Sequence, residues 1–498
     1  MPRIAVCTDL GHCSPFDALS GCFFNQGENA FILGGRGSGK SYLFAILQTL
    51  NSFAFDHCHT LSSGAIEEQA DRVLAYVQHL VKLPVFSSIY DPRQARVREI
   101  EYRNGSSSKI VPGTIAALNG PHPQKLLLDE LELFDLKALK ESTFIVRPAD
   151  GVDQQVVKTT SRKRAYGPAQ REIEAIEQGN SDTTLYIWCV FDAMTTCVED
   201  SCLPCKRRKR SDGKSFYDIC YMGADKNGED IMRAKKADGH FDYKTAWAQF
   251  SDPQIDPDDF DSQSLSLRPS QKGLIWPAFN PQVHLKDEDF FAERFSHEPK
   301  PLPVLASLDH GWRDATVVLF GYWLKGQLYV LDEIYQGGLQ PVDVAGLIEA
   351  KCQERRWALQ TVYCDPSNPQ NIALYSSEGL PVTEANNTVE VGNLFVAGLF
   401  RYNEGQEPGL YSSKRCVKSI QDWKTYHFKD QKPEELAAHA RRVPDPRQSD
   451  HGSDALRYLA MSGYAANTES YTVGPADAEQ QGDWAGWDTG FARDIDGW

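Results

Sequence analysis

No stretch of this 498-residue chain approaches the ~20 consecutive apolar residues that cross a bilayer, which argues against insertion into a membrane. The opening residues, Met1 to Asp9, lack a basic region followed by an apolar core, so no secretory signal is expected. Positive charge is also short. Lys plus Arg number 52 against 68 Asp plus Glu, and the net charge of −16 has the wrong sign for a protein that coats nucleic acid over its whole surface. Any contact with DNA must be local, and the two basic runs, Arg162-Lys163-Arg164 and residues 206–210, read as solvated loops in preference to a phosphate-binding surface. The 12 cysteines are scattered rather than evenly framed, which excludes a small disulfide scaffold and points to thiols in reducing surroundings, with one candidate metal cluster.

What the chain does have is length and pattern. It is too long for one ordinary core, so two or three domains are expected, and 41% hydrophobic with 24% charged residues describes a globular protein. The apolar run Ala30-Phe31-Ile32-Leu33 leads into Gly34-Gly35-Arg36-Gly37-Ser38-Gly39-Lys40-Ser41, a full match to G-x-x-x-x-G-K-[ST]. The glycines let backbone N–H groups wrap phosphates, Lys40 reaches the β and γ oxygens of ATP, and Ser41 holds Mg²⁺ at the start of a helix over residues 42–50. Downstream, Lys125-Leu126-Leu127-Leu128-Asp129-Glu130 is an apolar strand ending in acid. Asp129 is placed to orient the Mg²⁺ shell and Glu130 to polarise the attacking water. Glu132, read as a strand neighbour alternating onto the face of Glu130, is either a solvated or structural acid or a competitor for that role.

Further elements read as α/β: a helix over 66–83, a hairpin at Asn104-Gly105, a strand over 155–161, a helix over 168–178 and a strand over 183–190. Thr159, Thr160 and Ser161 close a strand, where hydroxyls either contact a γ-phosphate and report hydrolysis or simply cap a helix. Residues 195–242 form a basic, Cys-bearing insertion. Its Cys197, Cys202, Cys205 and Cys220 include one C-x2-C pair and are either a tetrahedral Zn²⁺ site or free thiols. The acidic, proline-bearing residues 251–300 read as a linker.

After the linker come strands at 302–308, 315–322, 327–334 and 361–364, with helices at 342–356 and 451–461. Acids fall at their ends: Asp309, Glu333, Asp365, then Asp450 and Asp454 beside the last helix. Strand ends and a packed helix can focus such carboxylates on two Mg²⁺ or Mn²⁺ ions ~3.5–4 Å apart, the chemistry of phosphodiester cleavage. The order strand-Asp, strand-acid, strand-Asp, helix-Asp is the ribonuclease H arrangement.

Taken together these motifs resemble the large subunit of tailed-phage terminases, over most of the chain. The resemblance is carried by Gly34 to Ser41, by Asn119-Gly120-Pro121-His122-Pro123-Gln124-Lys125 running into Leu128-Asp129-Glu130, and by Thr159-Thr160-Ser161. It is also carried by Ser307-Leu308-Asp309-His310-Gly311-Trp312, Tyr363-Cys364-Asp365-Pro366-Ser367 and Asp450-His451-Gly452-Ser453-Asp454-Ala455-Leu456-Arg457-Tyr458. It implies a P-loop ATPase motor (residues 1–250), a linker (251–300), a ribonuclease H-like nuclease (301–465) and an acidic tail (466–498). The tail is either a flexible end or docks a partner through Trp484, Trp487 and Trp498.

By that resemblance Lys40, Ser41 and Asp129 serve nucleotide and Mg²⁺, Glu130 is the ATPase base, and Thr159, Thr160 and Ser161 couple hydrolysis to movement. Asp309, Asp365 and Asp454 ligate the nuclease metals, with Asp450 and His451 less firmly placed. Arg36 is a γ-phosphate sensor or a solvated loop residue. The implied partners are double-stranded DNA, a portal protein and a small terminase subunit, with a homo-oligomeric ring on the procapsid. The implied location is the cytoplasm of an infected bacterium, outside the mature virion. A cellular repair ATPase-nuclease or helicase-nuclease is the alternative, but a helicase would need a second motor lobe where the strand-end acids stand. A zinc-dependent DNA-binding regulator would make those acids incidental.

Overall fold

The structure is a computed structural model that describes residues 1–91, 96–118, 122–311, 315–403, 405–431, 435 and 440–470. Asn119, Gly120, Pro121, Trp312 and the tail beyond residue 470 lie outside the described residues. The chain divides into two compact α/β units after Lys272.

The first unit is built on a seven-stranded sheet. Its strands are β1 (Ala30–Gly34), β2 (His59–Gly64), β3 (Glu99–Glu101), β4 (Ser107–Pro112), β5 (Lys125–Asp129), β6 (Gln155–Thr160) and β7 (Thr184–Trp188), in the order β3-β4-β2-β5-β6-β1-β7. All neighbours are parallel except the β3–β4 hairpin. β1 and β5 are buried at every position, as a parallel sheet covered on both faces requires. The strand order sets β6 between the phosphate-loop strand and the strand that ends in Asp129, so its terminal hydroxyls stand between the two motifs. This is a P-loop NTPase fold. Helices Lys40–Ala54 and Glu67–Leu80 pack Leu43, Phe44, Leu47, Val73 and Val77 into one core with Ile32 and Leu127.

Three expectations change here. β5 stops at Asp129. Glu130 adopts the left-handed conformation with φ 58°, and Glu132 follows in a 3-10 turn (Leu131–Leu133), so strand alternation does not place Glu132 on the face of Glu130. Secondly, residues 251–300 are no linker. Phe260 and Leu265 join a buried core with Val190 and Phe250 in the first unit, while Ile275 and Trp276 are buried in the core of the second. Thirdly, the basic runs are not merely solvated: Arg162 Nη1 donates to Leu267 O at 3.1 Å, Lys163 pairs with Glu130, and Arg210 is clasped by Asp261 at 2.7 Å over the Phe250 ring. The insertion itself carries a small hairpin, β8 (Tyr221–Ala224) with β9 (Asp230–Met232).

The second unit holds β10 (Leu285–Lys286), β11 (Leu302–Asp309), β12 (Ala315–Leu324), β13 (Gln327–Gly337), β14 (Trp357–Cys364), β15 (Val382–Glu384) and β16 (Leu410–Ser413). The sheet order is β10-β16-β13-β12-β11-β14-β15. β11, β12 and β13 form an antiparallel meander, and β14 and β15 add in parallel beyond β11, which is the ribonuclease H-like pattern. Asp309 closes β11 and Asp365 follows β14, so two adjacent parallel strands deliver acids to one sheet end. The helix His451–Ser470 lies on that sheet, where Ser307 Oγ donates to Ala455 O at 2.7 Å. Gly321 admits it closely: a Cβ there would stand 2.7 Å from Leu459 Cδ2.

Candidate active sites

In the first unit the phosphate loop turns through Gly37 (φ 78°) and Gly39 (φ 93°) before the helix opens at Lys40. Positive φ here needs glycine. Ser38 Oγ donates to Gly35 O and accepts from Trp188 Nε1, both within 2.7 Å, which fixes the loop to the end of β7. Lys40 is buried, and its Nζ donates to Gly34 O, Gly35 O and Ser161 Oγ. Burial pushes its pKa down, against the pull of Glu130 and Asp129.

Asp129 is held on both sides. Ser41 Oγ donates to its Oδ2 at 2.6 Å and Thr159 Oγ1 to its Oδ1 at 2.7 Å. The hydroxyl-rich end of β6 thus contacts Asp129 through Thr159 and Lys40 through Ser161. Thr160, also buried, donates to Ser161 O at 3.2 Å. Ser41 and Asp129, a hydroxyl and a carboxylate at the helix start, are oxygen donors of the kind Mg²⁺ takes.

Glu130 Oε2 accepts from Lys163 Nζ at 2.9 Å. Burial alone would raise its pKa, yet Lys40 and Lys163 together hold it below the usual carboxylate range, so it is an anion available as a base. Arg36 is exposed and donates from Nη1 to Gln263 Oε1 at 3.4 Å. Lys163 was not singled out by the sequence, where it stood inside a charge run.

Glu132 sits under the Gly167 turn, and burial raises its pKa to about 7 from 4.5. A raised carboxyl pKa means the folded state holds the proton that the unfolded state releases, so stability falls as pH rises from about 4.5 through about 7. Glu132→Gln should therefore melt above wild type at pH 8, with the gap closing below pH 5. Thermal melts at the two pH values check this.

Two further residues come from the end of the insertion. A Cβ on Gly37 would stand 2.7 Å from Phe241 Cε2, and one on Gly39 2.9 Å from His240 Cε1. The segment lies against the loop because both positions lack side chains. Gly37→Ala should lose nucleotide binding, and adding Phe241→Ala should recover part of it. The left-handed backbone cost of roughly 1–2 kcal/mol would remain while the collision disappears. Titration of a fluorescent ATP analogue against both variants reads this directly.

In the second unit Asp309 Oδ2 lies 2.7 Å from His451 Nδ1. Asp365 accepts from Ser367 N at 3.0 Å and from Ser367 Oγ at 2.6 Å, which orients it on the loop after β14. Asp454 Oδ1 accepts from Arg457 Nη2 at 2.9 Å, and Arg457 is 1% exposed. The acids feel one another. Burial, then Asp454, push Asp450 up to about 6, and burial with Asp309 and Asp365 raises Asp454 against Arg457. Among the described residues no three of these carboxylates bring oxygens within 4.8 Å of one another.

Glu333 leaves the set. Its two oxygens accept from Lys418 N and Ser419 N, both at 2.9 Å, at the start of the helix Val417–Thr425. It is a helix cap, and the sheet's other inner acid, Asp332, is engaged by Lys351 and Arg355. The cysteine quartet is gathered but not closed. Cys197, Cys202 and Cys205 pack on the core that holds Cys220, and Ala234 links Cys197 to Cys220 through its O and N, yet no three of the four sulfurs lie within 4.8 Å of one another.

Neither a family model nor a curated protein matches the sequence. Solved structures do. The chain is similar to the large terminase of a thermophilic bacteriophage (14% identity, 90% of this chain and 98% of that one, TM-score 0.35). It is similar also to the HK97 bacteriophage large terminase (13% identity, 90% and 94%, TM-score 0.45) and to the P22 large terminase nuclease domain (17% identity, 39% and 93%, TM-score 0.30).

Proposed function

We propose that this chain is an ATP-driven motor that moves double-stranded viral DNA into a procapsid and cuts the concatemer with a metal-dependent endonuclease. The observation that supports the reading is the presence, in one chain, of a complete phosphate-loop site and a strand-end acid cluster on a ribonuclease H-like sheet. Lys40 would leave the carbonyls of Gly34 and Gly35 for the β,γ-phosphates, and Glu130 would take the proton of the attacking water. Thr159 and Ser161 touch Asp129 and Lys40, so a change at either is felt at the end of β6.

In the second unit Asp309, Asp365 and Asp454, with Asp450, would hold two divalent ions, Mg²⁺ or Mn²⁺, whose chemistry is to activate water and stabilise the leaving oxygen. His451 fixes the orientation of Asp309, and Arg457 offsets part of the charge repulsion at Asp454. The partners that follow from this reading are duplex DNA, a portal protein, a small terminase subunit and further copies of the chain in a ring. The location that follows is the cytoplasm of an infected bacterium.

The test is packaging of linear DNA into empty procapsids, scored by protection from added nuclease. ATP-dependent protection is expected, with ATP turnover stimulated by double-stranded more than by single-stranded DNA. Stimulation by single strands alone, with no protection, would replace the motor by a helicase-nuclease.

A further inference from the structure

Cys7, His12, Cys189 and Asp192 take no part in either site, yet they form the one group of three or more metal-ligating side chains, among the described residues, whose donor atoms lie within 4.8 Å of one another. All four are buried, and Cys7 and Cys189 are 0% exposed. They come from two segments far apart in sequence: the N-terminal turn around Thr8–Leu10, and the single helical turn Val190–Ala193 that follows β7.

Two of the distances are close to those between neighbouring ligands of one ion. Cys7 Sγ lies 3.4 Å from Cys189 Sγ, and His12 Nδ1 lies 3.0 Å from Asp192 Oδ2. Zinc–sulfur bonds of ~2.3 Å and zinc–nitrogen or zinc–oxygen bonds of ~2.0–2.1 Å give tetrahedral edges of about 3.8 Å and about 3.3 Å. Both pairs fall within a few tenths of an ångström of those edges. Asp192 is oriented by its second oxygen, Oδ1, which accepts from Val6 N at 2.9 Å and Cys7 N at 3.0 Å. Backbone donors behind a ligating carboxylate are how metal ligands are held in place.

We propose that Cys7, His12, Cys189 and Asp192 bind one structural zinc ion, through Cys7 Sγ, His12 Nδ1, Cys189 Sγ and Asp192 Oδ2. Binding releases to solvent the two thiol protons and the proton that His12 Nδ1 shares with Asp192, and involves no change of oxidation state. The consequence is mechanical. A Cβ on Gly35 of the phosphate loop would meet Val190 N at 2.9 Å and Cys189 C at 3.2 Å, and Gly35 N donates to Trp188 O at 3.0 Å. The zinc would rivet the N-terminal segment to the residues against which the phosphate loop is packed.

Elemental analysis of the full chain, purified without added metal, should find zinc, and the double variant Cys7→Ser/Cys189→Ser should contain one equivalent less. Replacing Cys202 and Cys205 by Ser should leave that equivalent in place, which separates this site from the cysteine quartet. Should the double variant fail to fold, zinc X-ray absorption on the wild-type chain decides, since a shell containing nitrogen or oxygen with sulfur is expected. A zinc-free wild-type protein, a sulfur-only shell, a Cys7–Cys189 disulfide under native conditions, or unchanged zinc in a folded double variant each overturns the proposal.

Discussion

Glu130→Gln should bind ATP about as well as wild type and turn it over ~10²–10⁴-fold more slowly, the usual cost of removing a general base. Glutamine keeps the shape and an oxygen able to accept from Lys163, so the pocket should persist while the anion that takes the proton is gone. Lys40→Ala should fail one step earlier. Its ammonium is the buried cation beside Gly34, Gly35 and Ser161, and without it the β,γ-phosphate charge has lost its main side-chain partner. Equilibrium binding and single-turnover hydrolysis on both variants distinguish the two failures. Wild-type turnover in Glu130→Gln would pass the base role to another group, with Glu132 the next carboxyl after it along the chain. The pKa of Glu132 at about 7 leaves part of its population protonated at neutral pH, so only its ionised fraction could take the proton there.

The elements that could be read from sequence are those in which local pattern and tertiary role coincide. β1 and residues 126–128 of β5 are unbroken apolar runs because parallel strands buried on both faces have no polar side to alternate with, and each ends where its chemistry begins. In the ribonuclease H-like sheet the legible marks were Asp309 and Asp365, at the ends of two strands. Sequence reading failed where a side chain's partner lies far along the chain. Glu333 looks like any strand acid until residues 418 and 419 bring their N–H groups to it, and Lys163 looks solvated until Glu130 turns back at φ 58°. The supposed linker was judged by its prolines and acids. Those residues instead cap short helices such as Pro257–Gln263, whose Phe260 is buried. Cys7 and His12 gave no spacing signal, since their partners Cys189 and Asp192 are some 180 residues away.

Separate loss of the two chemistries is the sharpest expectation, because Lys40, Asp129 and Glu130 belong to the first unit and Asp309, Asp365 and Asp454 to the second. Asp309→Ala, Asp365→Ala and Asp454→Ala each remove a carboxylate from a cluster in which Asp450 and Asp454 already resist ionisation. Occupancy by two divalent ions, and plasmid nicking with it, should collapse while ATP hydrolysis stays near wild type. Mn²⁺ should support cutting at least as well as Mg²⁺, whose demand for near-ideal octahedral geometry is the stricter, and Ca²⁺ should bind without supporting it. Asp454→Ala carries a second cost that the others do not. It strips Arg457, 1% exposed, of its carboxylate partner and leaves a buried guanidinium uncompensated, so this variant should also melt lower. Asp309→Ala is the cleaner test: a folded Asp309→Ala protein that nicks plasmid at the wild-type rate would remove the nuclease from the second unit, while leaving the ATPase assignment of the first intact.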